Sequence, residues 1–387
     1  MYWQRLHAAA KSAFLAFREW RTRRLSPVKA QLSMFALREI NSWSTWVEIP
    51  PPQRLQNWTD AFLSHSAALY DFEQYDRGQF LTDIERERTG NINQKQFVSL
   101  LANKVGLYKA MQPFDDHLPE TYGVITDGHF HPIRTVEVVP DKLGGATAAS
   151  DAVEWVLDSL EERGSLVLKP VHGAGGDGVK LCSRQGDSFL INGESMGLAV
   201  FQQEIASLEN YLAMEQVQQA TYADELFPDA TNTVRVLTMW DSEYGEPFCP
   251  VAVQRVGTET SAPVDNFDRH GISAIVDRET GELGRGVQLR EDGQVAWHET
   301  HPSTGTSIAG TRIPGWSSIL EQLLEIADAF SYVPYIGWDI VVTAPHEFVI
   351  LEANNCPGVK SLQAHEPLLT DERVRRFYRH HGVCDRS

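Results

Sequence analysis

The chain has 387 residues, 42% of them hydrophobic and 22% charged, which leaves room for two or three domains and is ordinary for a globular protein. A net charge of −18 argues against general nucleic-acid binding, and no apolar run approaches the ~20 residues that cross a bilayer. Four scattered cysteines (Cys182, Cys249, Cys356, Cys384) with no CxxC pair argue against a zinc site or a disulfide framework and suit a reducing cytoplasm.

Charge is uneven along the chain. Residues 1–30 hold seven Lys/Arg against one Glu, and Trp3, Leu6, Ala10, Phe14 and Phe17 follow a helical period. Two readings of this stretch stand: a helix packed on its own domain, which is favoured, or an amphipathic helix touching an anionic membrane or a partner. Lys11 and Arg18 interrupt any apolar core of a signal peptide.

Residues 1 to about 104 read as helices and loops, broken at Pro27 and at Pro50-Pro51-Pro52, with no βαβ alternation and no early Gly-rich turn. From Thr121 the texture changes: "TYGVITDG" reads as strand and turn, and "SDAVEWVLDSLEERG" as a capped helix ending at Gly164. Strands follow at "SLVLKPV", "TNTVRVLTMW", "FCPVAVQRVG" and "GISAIVD", with "RETGEL" as a hairpin turn. The amphipathic helix "SSILEQLLEIADAF" precedes two last strands, "YIGWDIVV" and "EFVILEAN". The expected fold class is α+β with a helical N-terminal region, divided as 1–104, 105–220 and 221–387.

Two stretches carry chemistry. "VLKPVHGAGGDGVKL" sets Lys169 at the end of a strand and follows it with Gly173, Gly175, Gly176 and Gly178. A single turn needs fewer glycines, whereas a flexible loop folding over an anion needs close backbone approach. In "GWDIVVTAPHEFVILEANNCPG", Asp339 and Glu352 lie near the ends of two strands joined by a short turn, and Glu352 and Asn354 share a strand face. Their hard oxygens suit Mg²⁺ held jointly with phosphates. Alone, that spacing is better read as a solvated strand edge; a Gly-rich loop behind a lysine shifts the balance.

Lys169 with its glycines, then "MEQV", then Asp339 and "EANNCPG" resemble the ordered signature of the ATP-grasp superfamily. Within it the chain resembles the sugar-transfer-associated ATP-grasp family, through "NINQKQFVSLLANKVGLYKAM", "PDATNTVRVLTM", "DNFDRHGI", "HPSTG" with "IPGW", "GWDIVVT", and "LEANNCPG" with Gln363. The resemblance covers roughly residues 70–370. It implies two α+β subdomains gripping ATP between antiparallel sheets, with ATP and Mg²⁺ (two ions, replaceable by Mn²⁺) as cofactors.

By the same resemblance, Lys104 and Lys169 contact phosphates, the four glycines close as a lid, and Glu215, Gln216 and Val217 hold adenine. Ala220 stands where the family is expected to carry His. Asp339, Glu352 and Asn354 become Mg²⁺ ligands. Asn232 and Arg235 of the NTxR element, Arg255, and Asn266 with Arg269 become the groups that hold a carboxylate and stabilise a transferred phosphoryl group. For each arginine a surface salt bridge is the competing reading. His270 and His301 lie in family-like segments, where a backbone-bonded loop histidine is at least as good a reading, and Cys356 reads as a small buried residue rather than a nucleophile.

The implied activity is an ATP- and Mg²⁺-dependent carboxylate–amine ligase forming an amide through an acyl phosphate. Its substrates would be small-molecule, peptide or sugar-linked acids and amines. A kinase that stops at the phosphorylated acceptor is the alternative within enzymology, and a nucleotide-binding scaffold without turnover is the one outside it.

Overall fold

A computed structural model describes residues 27–41, 47, 49–133, 150–173 and 175–385. The positions on which the N-terminal amphipathic reading rests, Trp3 to Phe17, lie outside the described residues. None of the described helices is long and apolar enough to cross a membrane.

The chain divides into two compact units, the first made of residues up to Thr89, Val287–Trp297 and Gly358–Ser387. Its described helices Pro27–Asn41, Pro51–Thr59, Ser64–Leu69 and Asp83–Arg88 are short, and two of them begin on the prolines that break the sequence pattern. Proline suits a first helical position because its missing N–H has no intrahelical partner there. Thr82 and Glu85 form a reciprocal capping box at the start of Asp83–Arg88. The C-terminal helices Lys360–Gln363 and Glu372–His380 belong to the same unit. Buried Gln363 accepts from Leu81 N (2.7 Å) and donates to Leu81 O (3.0 Å) and the Tyr70 hydroxyl (3.1 Å), and the Tyr70 ring stacks on Phe80.

The second unit, Gly90–Gly286 and His298–Pro357, holds two antiparallel sheets. The first is built from β1 (Thr121–Thr126), β2 (His129–Pro132), β3 (Ser150–Asp151), β4 (Ser165–Pro170), β5 (Lys180–Gln185), β6 (Ser188–Ile191), β7 (Glu194–Met196) and β8 (Tyr211–Met214). Its order is β3-β2-β1-β8-β4-β5-β6-β7. The helix Ala152–Arg163 starts on the Asp151 cap, ends at Gly164 (φ +80°) and buries Val156 and Leu160. With Phe201 and Ile205 of the helix Leu198–Ala206 these residues form one apolar core over Leu166, Leu168 and Ile125.

The second sheet comprises β9 (Val234–Asp241), β10 (Glu246–Val256), β11 (Ile272–Val276), the first residues of β12 (Leu283–Leu289), then β14 (Tyr335–Ala344) and β15 (Glu347–Asn354). Most of β13 (Val295–His298) falls in the first unit. The strands run β11-β10-β9-β14-β15. The helix Trp316–Ala329 packs Ile319, Leu323 and Ile326 into a second core with Val236, Ile340 and Val342. Central β14 is buried along its first eight residues, so an apolar run with one aspartate in it is a run that must partner that aspartate.

Candidate active site

Strand register assembles the site. On β14 and β15 Asp339 stands opposite Glu352, and Gly337 opposite Asn354. On β9, Arg235 stands opposite Asp339. Directly opposed residues share a sheet face, so Arg235, Asp339, Glu352 and Asn354 lie together. A side chain at Gly337 would place its Cβ 2.5 Å from Pro357 and 3.6 Å from the Arg235 Cδ, which explains glycine beside this row.

Asp339 is 6% exposed and heavily coordinated. Arg235 engages it in a fork, through Nε to one oxygen and through Nη2 to the other at 2.8 Å. Arg255 Nη1 reaches both oxygens at 3.2 Å, and Asn354 Nδ2 one of them at 3.4 Å. Burial alone would raise the Asp339 pKa, but the two guanidinium groups outweigh it and hold the carboxyl below its ordinary value. Glu352 behaves oppositely: burial and the neighbouring Asp339 charge push its pKa up against the pull of Lys104, Lys169 and Arg235.

Lys104 opens the helix Lys104–Ala110, whose Asn103 cap accepts from Gly106 N. Its Nζ donates to Gly173 O (2.9 Å), and Lys169 Nζ to Leu351 O (3.2 Å), beside Glu352. Burial pushes the Lys104 pKa down against the pull of Glu352, and burial with the neighbouring Lys104 charge brings Lys169 to about 8, Glu352 opposing.

All four loop glycines have positive φ, from +75° at Gly175 to +136° at Gly173. The loop sits on the segment before β11. Asn266 Nδ2 donates to Gly175 O (2.8 Å), Arg269 pairs with Asp177, and a Cβ on Gly176 would lie 2.7 Å from Val264. Arg269 therefore faces the glycine loop rather than the Asp339 row.

Other predicted residues have structural partners. Asn232, 1% exposed, donates to Ala223 O (2.9 Å), Phe227 O (2.7 Å) and the Gln219 side chain and accepts from Gly257 N (2.8 Å). Its amide is fully used in bracing the start of β9. His301 is buried against Phe227, with Nε2 2.8 Å from Gly257 O. His270 closes a turn at φ +68°. Glu215 pairs with Glu120 through its own N–H and through its carboxylate, while Gln216 and Val217 lie in irregular chain after β8. The Ala220 N–H bonds Val342 O (2.7 Å) and its methyl is buried, so this position offers no polar side chain. Cys356 is half-buried beside Gly90. A pocket walled by Tyr108, Glu120 and Tyr122 contains none of the predicted site residues.

Asp265 is a functional candidate that no sequence motif singles out. It bonds Thr233 and Arg255, and the only signal available was its place at the head of "DNFDRHG".

Two carboxylates and a side-chain amide on one face are the oxygen set that suits Mg²⁺. Among the described residues, no three His, Cys, Asp or Glu side chains gather as a metal cluster, and the row offers two carboxylates with the Asn354 amide beside them. The donors fit, with Asp339 already shared by two arginines.

Two antiparallel sheets, a lysine pair, a glycine loop and this row of carboxylates define an ATP-grasp protein. The chain belongs to the family described as sugar-transfer associated ATP-grasp, which it matches over residues 84–375. No curated protein matches it. Solved structures similar to it include the ADP complex of PurK, an N5-carboxyaminoimidazole ribonucleotide synthetase (13% identity, 68% of this chain and 47% of that one, TM-score 0.36). Others are the D-alanine–D-alanine ligase from Coxiella burnetii (11%, 73% and 59%, 0.33) and D-alanyl-alanine synthetase A from Vibrio cholerae (10%, 73% and 66%, 0.39). The chain spans about half the length of the first two.

Proposed function

We propose that the protein is an ATP- and Mg²⁺-dependent ligase that joins a carboxylate to an amine through an acyl phosphate. The observation that carries this reading is the row Arg255, Arg235, Asp339, Glu352, with Lys104 and Lys169 electrostatically coupled to Glu352. Four cations around two carboxylates and an amide make a built seat for a metal-bound polyphosphate and a second anion.

In this reading residues 105–220 contribute Lys169, the glycine lid and the adenine-holding stretch Glu215–Val217, and residues 221–387 contribute the metal site. The ammonium groups of Lys104 and Lys169 and the loop N–H groups grip the inner phosphates. Asp339, Glu352 and Asn354 would hold Mg²⁺, which would supply charge neutralisation at the phosphates. Arg235 and Arg255 hold the incoming carboxylate and balance charge on the moving phosphoryl group, while lid closure excludes water. The substrate carboxylate oxygen attacks the γ-phosphorus and ADP leaves; the amine then attacks the acyl carbon and phosphate leaves. No side chain is a covalent nucleophile. Arg269 and Asn266 act on the lid, and Asn232 acts as a brace.

The test is ADP release from MgATP across amino acids, peptides and sugar acids, each with and without added amines. Release that requires both an acid and an amine is the expected result. Acceptor-dependent release indifferent to amine marks a kinase, and nucleotide binding without turnover across the panel marks a scaffold.

A further inference from the structure

Asp265 is 4% exposed and lies in the segment between β10 and β11, immediately before Asn266, which caps the turn Phe267–Arg269. One carboxylate oxygen accepts from Thr233 twice, from the backbone N–H at 2.7 Å and from the hydroxyl at 2.5 Å. The other accepts from Arg255 Nη2. The second terminal nitrogen of Arg255 is the one that reaches Asp339. Its guanidinium is thus fixed at both terminal nitrogens by two carboxylates on different strands or loops, which sets the plane of the group.

Fixing the plane has a consequence for the third donor. Arg255 Nε is buried and has no hydrogen-bond partner among the described residues, although the side chain as a whole is 13% exposed. A buried N–H without an acceptor is unfavourable and uncommon, so the two outer bonds that hold the group here must outweigh it. Thr233 stands two residues before Arg235 on the chain, so Asp265 ties the placement of Arg255 to the start of the strand that carries Arg235.

We infer that Asp265, anchored on Thr233, is a positioning residue that fixes the Arg255 guanidinium beside Asp339 for its part in holding the anionic substrate. The inference rests on the proposed reading in which Arg255 faces substrate. Asp265 itself touches no reactant. It acts through Arg255, and a residue that served stability alone would not.

The experiment uses the full chain labelled with ¹⁵N-arginine. The Arg255 Nε–H resonance is assigned by its loss in Arg255→Lys. Asp265→Asn keeps the size of the side chain but turns an N–H₂ toward either Thr233 or Arg255, both donors. We expect the Arg255 signal to shift and its hydrogen to exchange with solvent at least ~10-fold faster. Thr233→Val, which removes the hydroxyl contact and keeps the backbone one, gives a smaller change in the same direction and serves if Asp265→Asn fails to fold. On turnover, Asp265→Asn lowers kcat for ADP release from MgATP by roughly 10- to 100-fold and changes less than about twofold in an Arg255→Ala background. An Arg255 signal unmoved in the folded variants, or losses that multiply in the double variant, overturns the inference. If Arg255→Ala alone leaves ADP release intact, the substrate-facing role of Arg255 is what fails, and the resonance still decides whether Asp265 holds it.

Discussion

The buried lysine gives the proposed nucleotide site a pH signature. Lys169 is 8% exposed, and burial together with Lys104 brings its pKa from 10.5 to about 8. A polyphosphate at its ammonium favours the charged form, so binding restores the proton. With a pKa near 8 in the free protein, about one molecule in ten keeps the proton at about pH 9, and almost all keep it at about pH 7. The apparent Kd for MgATP should therefore rise about tenfold between these values, equivalent to about 1.4 kcal/mol. Proton uptake on binding should climb from near zero toward one over the same range. Titration calorimetry in two buffers of different ionisation enthalpy reads both quantities. Lys169→Arg stays charged throughout and should abolish the slope. The same shift affects stability in the opposite sense. Between about pH 8 and 10.5 the unfolded chain binds more protons than the folded one, so this group makes the free protein more stable as pH rises through that window. A Kd that is flat from about pH 7 to 9, or an equal slope in Lys169→Arg, refutes the reasoning.

Glu352→Gln removes a charge from the metal seat and from the lysines; turnover should fall by several orders of magnitude, on the order of the few kcal/mol that electrostatic stabilisation supplies, with the fold intact by circular dichroism. Near-normal rates would remove Glu352 from the active site. Gly176→Val places a β-branched side chain at φ +76°, with its Cβ 2.7 Å from Val264, so the loop should leave its seat and MgATP should bind more weakly. The melting temperature of the free protein should move by only a few degrees (~1 kcal/mol), because the loop lies outside both apolar cores. Gln363→Ala leaves the buried N–H and C=O of Leu81 without partners, and should cost about 1–3 kcal/mol in denaturant unfolding while leaving the affinity for MgATP unchanged.

Long apolar elements were legible in the sequence. "EFVILEAN" is β15, "YIGWDIVV" lies within β14, and the Asp151 cap and Gly164 stop bracket the helix between them. The short strands β6 and β7 were not, because "SFLI" and "ESM" hold too few residues to show a period of two. At the site, Asp339, Glu352 and Asn354 were readable as a set because one hairpin holds them. The partnership of Arg235 with Asp339 was not, since it depends on the register between strands 104 residues apart. Asn232 matched a motif, yet its amide is enclosed by backbone carbonyls, a distinction that only packing reveals. Asp265 escaped for the same reason: a lone aspartate in a loop has no periodicity, and its meaning comes from the two donors that fold onto it.

In the proposed reaction a substrate carboxylate is activated by the γ-phosphoryl group. This is tested most directly with an acid carrying ¹⁸O in its carboxylate, incubated with protein, MgATP and amine, followed by mass analysis of the phosphate and nucleotide released. The attacking carboxylate oxygen stays with phosphorus when the amine displaces phosphate. With both carboxylate oxygens labelled, the expected products are phosphate carrying one ¹⁸O, ADP as the nucleotide, and a hydroxamate when hydroxylamine replaces the amine. Label appearing in AMP, with pyrophosphate released, would contradict the proposed reaction.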